Sequence, residues 1–219
     1  MEELQGTDHP LQLCRTLYHG ICRIATMTGD FATADREIAR LIVVATRSNA
    51  PFWETMGRFL KGQLLVGRGE FAQGLLVLRD AFETCERTGW RLSYEEFKGA
   101  LALGLAGTGR VDEALVALDG ALAAERDGAG GHGWYAPELL RIKGEVLLQQ
   151  AADQLVLAAE DCFTQAAQMA REQGALFWEL RAALSVARLR VSQGRHREAR
   201  AALASVYDRF TEGFATADL

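Results

Sequence analysis

The chain has 219 residues, of which 49% are hydrophobic, with 24 lysines and arginines against 29 aspartates and glutamates; this composition is typical of a folded globular protein, not of a disordered or fibrous one. A net charge of -5 gives no general attraction to nucleic acid or anionic lipid, so we expect no direct nucleic acid binding. The longest apolar stretch, residues 101–107, is far shorter than the roughly 18 residues of a membrane span, and the start of the chain carries acids where a signal peptide needs basic residues. We therefore expect a cytoplasmic protein that is not inserted in a membrane.

The content of proline, glycine and cysteine narrows the fold class. Three prolines and 22 glycines indicate helices separated by glycine turns instead of a strand-rich fold. The four cysteines form no Cys-x-x-Cys motif, and each lies within an apolar helical pattern, so we interpret them as core residues. Cys14 and Cys22 could share a helix face with His19, but such groups in a reducing compartment are more often packing and surface residues. We expect neither a metal nor a cofactor.

Segments that begin with glycine recur along the chain with a period of about forty residues. The anchors of these segments are Gly29, Gly69, Gly109 and Gly194, with Gln154 in the same frame, so the steps are 40, 40, 45 and 40 residues. Five residues after each anchor stands Ala or Gly, and nine residues after it stands a large apolar residue. Such a pattern predicts helical hairpins, because the small residue lets two backbones approach and the large one fills space toward the next hairpin.

The repeat frame predicts which small residues are buried within each hairpin. They are Gly62, Gly74, Ala102, Ala114, Gly144, Ala159, Ala187 and Ala199. The anchor glycine supplies the left-handed residue that ends the first helix, and Asp30 or Glu70 can cap the helix that follows.

Ten helices are predicted in chain order. They cover residues 9–28, 31–47, 51–67, 71–87, 92–108, 111–126, 135–150, 155–173, 175–193 and 196–211. These helices form five antiparallel pairs, at about 9–47, 51–87, 92–126, 135–173 and 175–211, in a single domain over residues 1–219. The predicted fold is all-α, a right-handed superhelix of helix pairs without a β-sheet.

Each of four turn segments between the pairs holds one tryptophan near the start of the next pair. These are Trp53, Trp90, Trp134 and Trp178. An aromatic side chain at such a place most often fills the seam between neighbouring hairpins; the alternative is that the indoles line a ligand surface. The glycine-rich segment at residues 127–134 lacks the Gly-Lys-Ser/Thr ending of a phosphate-binding loop, so we interpret it as a loop between repeats.

The anchors, the small-large alternation and the hairpins resemble the tetratricopeptide (TPR) repeat family, with forty residues in place of the usual thirty-four or so. The segments PELLRIKGEVLL, AEDCFTQAAQMAREQGALFWELRAALSVARL and QGRHREARAALASVYDRF resemble the C-terminal TPR-like region of large bacterial signalling proteins. In that family the region follows a P-loop ATPase domain, which is preceded by a class III adenylate or guanylate cyclase domain or by a winged-helix DNA-binding domain. The resemblance implies a regulatory region of a larger polypeptide, and nothing in this chain resembles the other domains.

No set of side chains in the sequence converges on a catalytic centre. The histidines are scattered over a tail, a helix, a loop and a hairpin turn, at His9, His19, His132 and His196. Adjacent acids such as Glu95 and Glu96 point about 100° apart on a helix and are interpreted as solvated charges. We therefore expect no enzymatic activity in this chain.

A stack of hairpins exposes a concave face built from the first helix of each pair, and such faces generally serve binding. Positions thirteen, ten and six before each anchor point to this face; the fourth pair is aligned on Gly144. They are Thr16, His19 and Arg23; Met56, Phe59 and Gln63; Glu96, Gly99 and Leu103; Glu138, Arg141 and Glu145; and Arg181, Leu184 and Arg188. The predicted groove is apolar in its first half, with Met56 and Phe59, and charged in its second half.

Three arginines on neighbouring hairpins, Arg141, Arg181 and Arg188, could together hold a carboxylate or phosphate. The alternative is a self-satisfied salt-bridge network with Glu138, Glu145 and Glu179.

Two functional classes fit these features. The first is a protein-interaction and regulatory module, whose partner is a protein, a peptide or effector domains of the same polypeptide; the second is a sensor that binds a small metabolite or peptide in the groove. An array without capping neighbours leaves an apolar end. We expect self-association through that end, as a homodimer, with Phe210, Phe214 and Leu219 in the contact.

Overall fold

Glycines and prolines mark most helix ends in the computed structural model, which describes residues 9–127, 133–150, 152–214 and 216–219. The described residues form ten helices and no β-strand. Helix α1 runs through Pro10–Thr16, Leu17–Cys22 and Arg23–Met27; the others are α2 Phe31–Arg47, α3 Pro51–Gly67, α4 Phe71–Thr88, α5 Tyr94–Gly107, α6 Val111–Asp127, α7 Ala136–Leu147, α8 Asp153–Glu172, α9 Leu176–Ser192 and α10 His196–Tyr207. The predicted all-α fold is confirmed.

The helices group into two compact units, Met1–Leu92 and Ser93–Leu219. The first unit holds the pairs α1/α2 and α3/α4, and the second holds α5/α6, α7/α8 and α9/α10. The single domain over residues 1–219 stays a prediction, as does the handedness of the array.

The anchor glycines end the first helix in four of the five pairs, as predicted, whereas the fourth anchor, Gln154, lies inside α8. Their φ angles lie between 76° and 81° at Gly29, Gly69, Gly109 and Gly194, a region that a residue without a Cβ enters at little cost. Asp30 caps α2, because its carboxylate accepts a hydrogen bond from the backbone N–H of Thr33 at 3.1 Å. Glu70 makes no side-chain cap, so that part of the prediction is wrong.

All eight small residues predicted at the contacts within hairpins are buried. A Cβ atom on Gly62 would lie 2.6 Å from Cγ of Leu78, and one on Gly74 would lie 2.7 Å from Cγ2 of Val66. These distances are shorter than real Cβ contacts, so α3 and α4 approach each other closely only because both positions are glycine. In α7, a Cβ on Gly144 would meet the Phe163 ring of α8 in the same way.

In the first unit, aromatic side chains join α1 to α3. The ring centroids of Trp53 in α3 and Tyr18 in α1 are 5.7 Å apart. On the other side, Phe52 of α3 contacts Trp90, which follows α4, edge to face with centroids 5.3 Å apart. The predicted seam role of Trp53 is thereby confirmed. The middle of α1, Leu17–Cys22, is a π-helical turn, which hydrophobic periodicity does not reveal.

In the second unit, α7 packs against both α5 and α9, and α8 also packs against α9. The Trp178 ring at the start of α9 lies 5.3 Å from Tyr135 and 5.9 Å from Trp134, so Trp178 also fills a seam between successive pairs. Trp134 is 47% exposed.

The segment after α10 differs from the prediction. Helix α10 ends at Tyr207 and not at residue 211, because Phe210 turns back onto the cluster of Leu180, Ala183 and Val206, where Leu219 also packs. The expectation of an uncovered apolar end is thus wrong for Phe210 and Leu219, while Phe214 is 53% exposed. Self-association through this end stays a prediction.

Two further sequence expectations concern membranes and thiols. Within the part of the chain that the structure describes, no helix is both long enough and apolar enough to cross a membrane. The four cysteines are free, and three of them are buried. Burial raises the pKa of the Cys14, Cys85 and Cys162 thiols, and burial together with Glu37 raises the pKa of Cys22 to about 12. Their interpretation as packing residues is confirmed.

Candidate binding surface

The charged half of the predicted groove is built by two adjacent helices of the second unit. Glu138, Arg141 and Glu145 are spaced by three and four residues and therefore share one face of α7. Arg181, Ser185 and Arg188 follow the same spacing on α9, which packs against α7. We call these six residues the α7–α9 surface.

Glu138 is the centre of this surface. Its carboxylate accepts hydrogen bonds from Nε and Nη2 of Arg141, at 2.8 Å and 2.9 Å, and Nη1 of Arg181 lies 2.9 Å from the same carboxylate. Glu138 is 2% exposed and Arg141 is 8% exposed. A buried carboxylate thus holds one guanidinium through two hydrogen bonds and a second one from the neighbouring helix.

The electrostatics keep both members of the buried pair charged. Burial alone would raise the pKa of Glu138, but the charges of Arg141 and Arg181 outweigh it and lower that pKa below its usual range. Burial disfavours the charged form of Arg141, and Glu138 more than compensates, so the pKa of Arg141 is raised. Burial, Glu138 and Glu96 raise the pKa of Tyr135, whose phenol therefore stays neutral.

Glu145 and Ser185 extend the network from α7 to α9. The Ser185 hydroxyl donates a hydrogen bond to Glu145 Oε1 at 2.6 Å. Nη1 of Arg141 donates to the same oxygen at 3.3 Å and lies 3.4 Å from the Ser185 hydroxyl. The donors of Arg141 are therefore occupied by Glu138, Glu145 and Ser185 within the protein.

The predicted salt-bridge network is correct for Glu138 and Glu145 and wrong for Glu179. Glu179 is 1% exposed, but its partners are Arg171 at 2.9 Å and Arg209 at 2.6 Å. Glu179 and Arg181 are two positions apart on α9, so the two side chains point to different sides of the helix.

The apolar half of the predicted groove is wrong as a binding surface. Met56 and Phe59 are completely buried, and the Phe59 ring contacts Phe82 of α4 edge to face, with centroids 4.7 Å apart. Large apolar side chains at these positions pack into the core because burial removes their surface from water.

Arg181 reaches solvent from a fixed position. Its side chain is 27% exposed, and its guanidinium carbon lies 5.9 Å and 6.0 Å from the ring centres of Phe177 and Trp178. The two aromatic rings and the carboxylate of Glu138 thus fix the position of the Arg181 guanidinium. On its exposed side, Nε lies 3.6 Å from Oδ2 of Asp218.

Arg188 is the contrasting arginine of the surface. It is exposed and makes no hydrogen bond or ion pair with any residue that the structure describes. It borders an open pocket of about 390 Å³. The lining residues are Glu145, Leu148, Val156, Ser185, Arg188, Leu189, Ser192 and Gln193. A cation beside an apolar floor suits an acidic group attached to an aliphatic one.

Among the residues that the structure describes, no group of three or more His, Cys, Asp or Glu side chains could hold a metal ion. His132, which the sequence places in a loop, lies outside the described residues. Sequence reasoning missed Ser185 and Asp218, because neither belongs to the predicted inward positions; the spacing of Ser185 between Arg181 and Arg188 is the signal that could have found it.

The fold of this chain is similar to those of several solved structures. A putative kinesin light chain of Podosopora anserina with nearly identical TPR-like repeats is 16% identical, with a TM-score of 0.56 over 92% of this chain and 96% of that one. The apo form of the quorum sensor NprR from B. thuringiensis is 14% identical, with a TM-score of 0.52 over 94% of this chain and 68% of that one. No protein-family model and no curated protein matches the chain. The chain has a TPR-like helical repeat fold.

Proposed function

We propose that this chain is a non-catalytic protein-interaction module that regulates attached effector domains in a larger bacterial signalling or transcription-regulating protein. Its ligand is an extended acidic peptide segment, bound on the α7–α9 surface by Arg188 and Arg181. The resemblance of residues 134–219 to the TPR-like region of cyclase- or winged-helix-containing regulators supports the choice of effector domains.

One observation carries this proposal: Arg188 is exposed without a protein partner among the described residues, at the edge of a pocket. Guanidinium groups bind carboxylates through parallel hydrogen bonds. Arg181 lies seven residues away on the same helix, at a distance of about 10 Å along a helix that rises about 1.5 Å per residue. That separation fits acidic groups on an extended peptide.

The experiment is selection of random nonapeptides displayed on phage against the purified chain. We expect enrichment of Asp and Glu, and a dissociation constant at least tenfold weaker for Arg188→Glu measured by fluorescence polarisation. Arg197→Glu, in which an exposed arginine of α10 is replaced, is the matched control and should leave the affinity unchanged. Equal affinities of the wild type and Arg188→Glu would contradict the proposal.

A second function, sensing of a small acidic metabolite, is favoured by the size of the pocket, since small-molecule sites span roughly 300–1,000 Å³. NprR, which is similar in fold, is a quorum sensor. Calorimetric titration with succinate distinguishes the two functions: binding that is lost in Arg188→Glu would favour the sensor, and its absence beside acidic-peptide binding would favour the interaction module.

A further inference from the structure

The residues after α10 return to α9. A turn at Gly213, with a φ of 83°, is followed by hydrogen bonds from the N–H of Thr216 to Gly213 O at 2.9 Å and from the N–H of Leu219 to Thr216 O at 3.3 Å. These turns bring residues 216–219 onto α9, and we call them the tail.

The tail covers one part of the α7–α9 surface. Leu219 packs against the cluster formed by Leu180, Ala183 and Val206, which Leu184 also joins. Next to it, the Asp218 carboxylate lies 3.6 Å from Arg181, and its side chain is 20% exposed. Asp218 thus pairs with the guanidinium of Arg181, and the next residue, Leu219, covers the apolar cluster beside it.

The tail is held weakly compared with the network beneath it. An ion pair between partly exposed groups contributes little and is screened by salt. Arg181 also contacts the buried Glu138, so departure of the tail leaves no buried charge without a partner. A tethered segment nevertheless has a high effective concentration and hinders a free competitor.

We propose that the tail is an intramolecular occupant of a peptide-docking face on α9, and that this face accepts from another chain an extended segment in which an aspartate precedes an aliphatic residue. The inference rests on the proposed peptide-binding function and names the chemistry of the ligand. Binding in trans requires displacement of residues 216–219, so the tail sets the affinity threshold for the partner.

The test uses a fluorescein-labelled peptide with the sequence of residues 208–219 and full-length chains. In the variant Asp218→Arg with Leu219→Asp, repulsion from Arg181 and loss of the apolar contact open the face. We expect this variant to bind the peptide at least tenfold more tightly than the wild type does. The control is Glu212→Arg, which makes the same change from an acid to arginine as Asp218→Arg does, at an exposed residue between α10 and the tail. It should bind the peptide like the wild type.

Two additions make the result specific. Arg181→Glu in the opened variant should weaken binding at least tenfold, and a peptide carrying arginine at the position of Asp218 should not bind. If the opened variant is less folded by circular dichroism, Asp218→Asn replaces it, with a gain of about threefold expected because only the ion pair is removed.

Equal affinity in the wild type and a folded opened variant, or no binding by either, would overturn the inference and leave the tail as a structural cap. Such a failure is distinct from that of the proposed function, because the display experiment depends on Arg188, which makes no hydrogen bond or ion pair with residues 216–219. Acidic peptides that bind through Arg188 while the tail peptide does not bind would reject only this inference.

Discussion

The same repeat position is filled differently in the two units of the molecule. In Met1–Leu92 it holds Met56, which is fully buried; in Ser93–Leu219 it holds Glu138 and Arg181, which form an ion pair. The repeat frame determines the direction in which this side chain points, and the residue type determines whether it packs into the core or forms an ion pair. An apolar residue adds to the core, whereas a buried acid holds a partly exposed cation at the surface.

Removal of Glu138 should have the largest effect. Glu138→Ala leaves Arg141 buried without its main partner, so the free energy of unfolding should fall by about 3–5 kcal/mol, measured by urea denaturation. The paired change Glu138→Leu with Arg141→Leu removes both charges and should cost less than about 2 kcal/mol. An equal loss in the single and paired variants would show that packing, not charge, holds this position.

The apolar counterpart in the first unit should respond through packing alone. Met56→Ala should lower the free energy of unfolding by about 2–4 kcal/mol, because it leaves a cavity in a fully buried site. The loss should be insensitive to salt. Arg188→Ala, at an exposed position, should change stability by less than about 0.5 kcal/mol; a comparable loss there would contradict the distinction between core and surface.

The close helix contacts can be tested by overpacking. Ala114 is completely buried at the start of α6, so Ala114→Leu should cost about 1–3 kcal/mol, seen as a lower urea midpoint. Gln73→Leu at an exposed helix position is the control and should leave the midpoint nearly unchanged. An unaltered midpoint for Ala114→Leu would contradict the repeat frame.

Acid should affect the charged unit in a defined direction. The pKa of Glu138 is lowered from its ordinary value of 4.5, so its contribution is fully present above that pH and is lost as the pH falls through the folded-state pKa. The free energy of unfolding, measured from about pH 5 to pH 3, should therefore fall more steeply in the wild type than in Glu138→Leu with Arg141→Leu. The two slopes should differ by at most about 1.4 kcal/mol per pH unit, the contribution of one titrating group. Parallel curves would exclude this contribution.

Much of the fold was predictable because it depends on local pattern. The anchors, the helix boundaries near them and the buried small residues all follow from a repeat that is visible in the residues themselves. The π-helical turn at Leu17–Cys22 leaves no mark in the hydrophobic periodicity, and the early end of α10 accompanies the packing of Phe210 on Leu180, Ala183 and Val206, so neither was predictable from local pattern.

The candidate surface was predictable only in part. Periodicity places Arg141, Arg181 and Arg188 on related faces, but it carries no information on burial depth or on which acid lies within reach. In the structure, Arg141 is buried and its N–H groups pair with acids of the same helix, whereas Arg188 is exposed. The contact of Asp218 with Arg181 depends on the turn at Gly213, which brings the chain back to α9 and cannot be recognised from the local sequence pattern.

The buried cysteines have a practical consequence for all these experiments. Reaction with maleimides or disulfides requires the thiolate, and burial keeps all four native thiols protonated near neutral pH. A cysteine introduced at an exposed position such as Gln73 should therefore react well ahead of them. Fluorophores could be attached at chosen sites of the otherwise unaltered protein, and the distance between α9 and a bound peptide could then be measured by energy transfer.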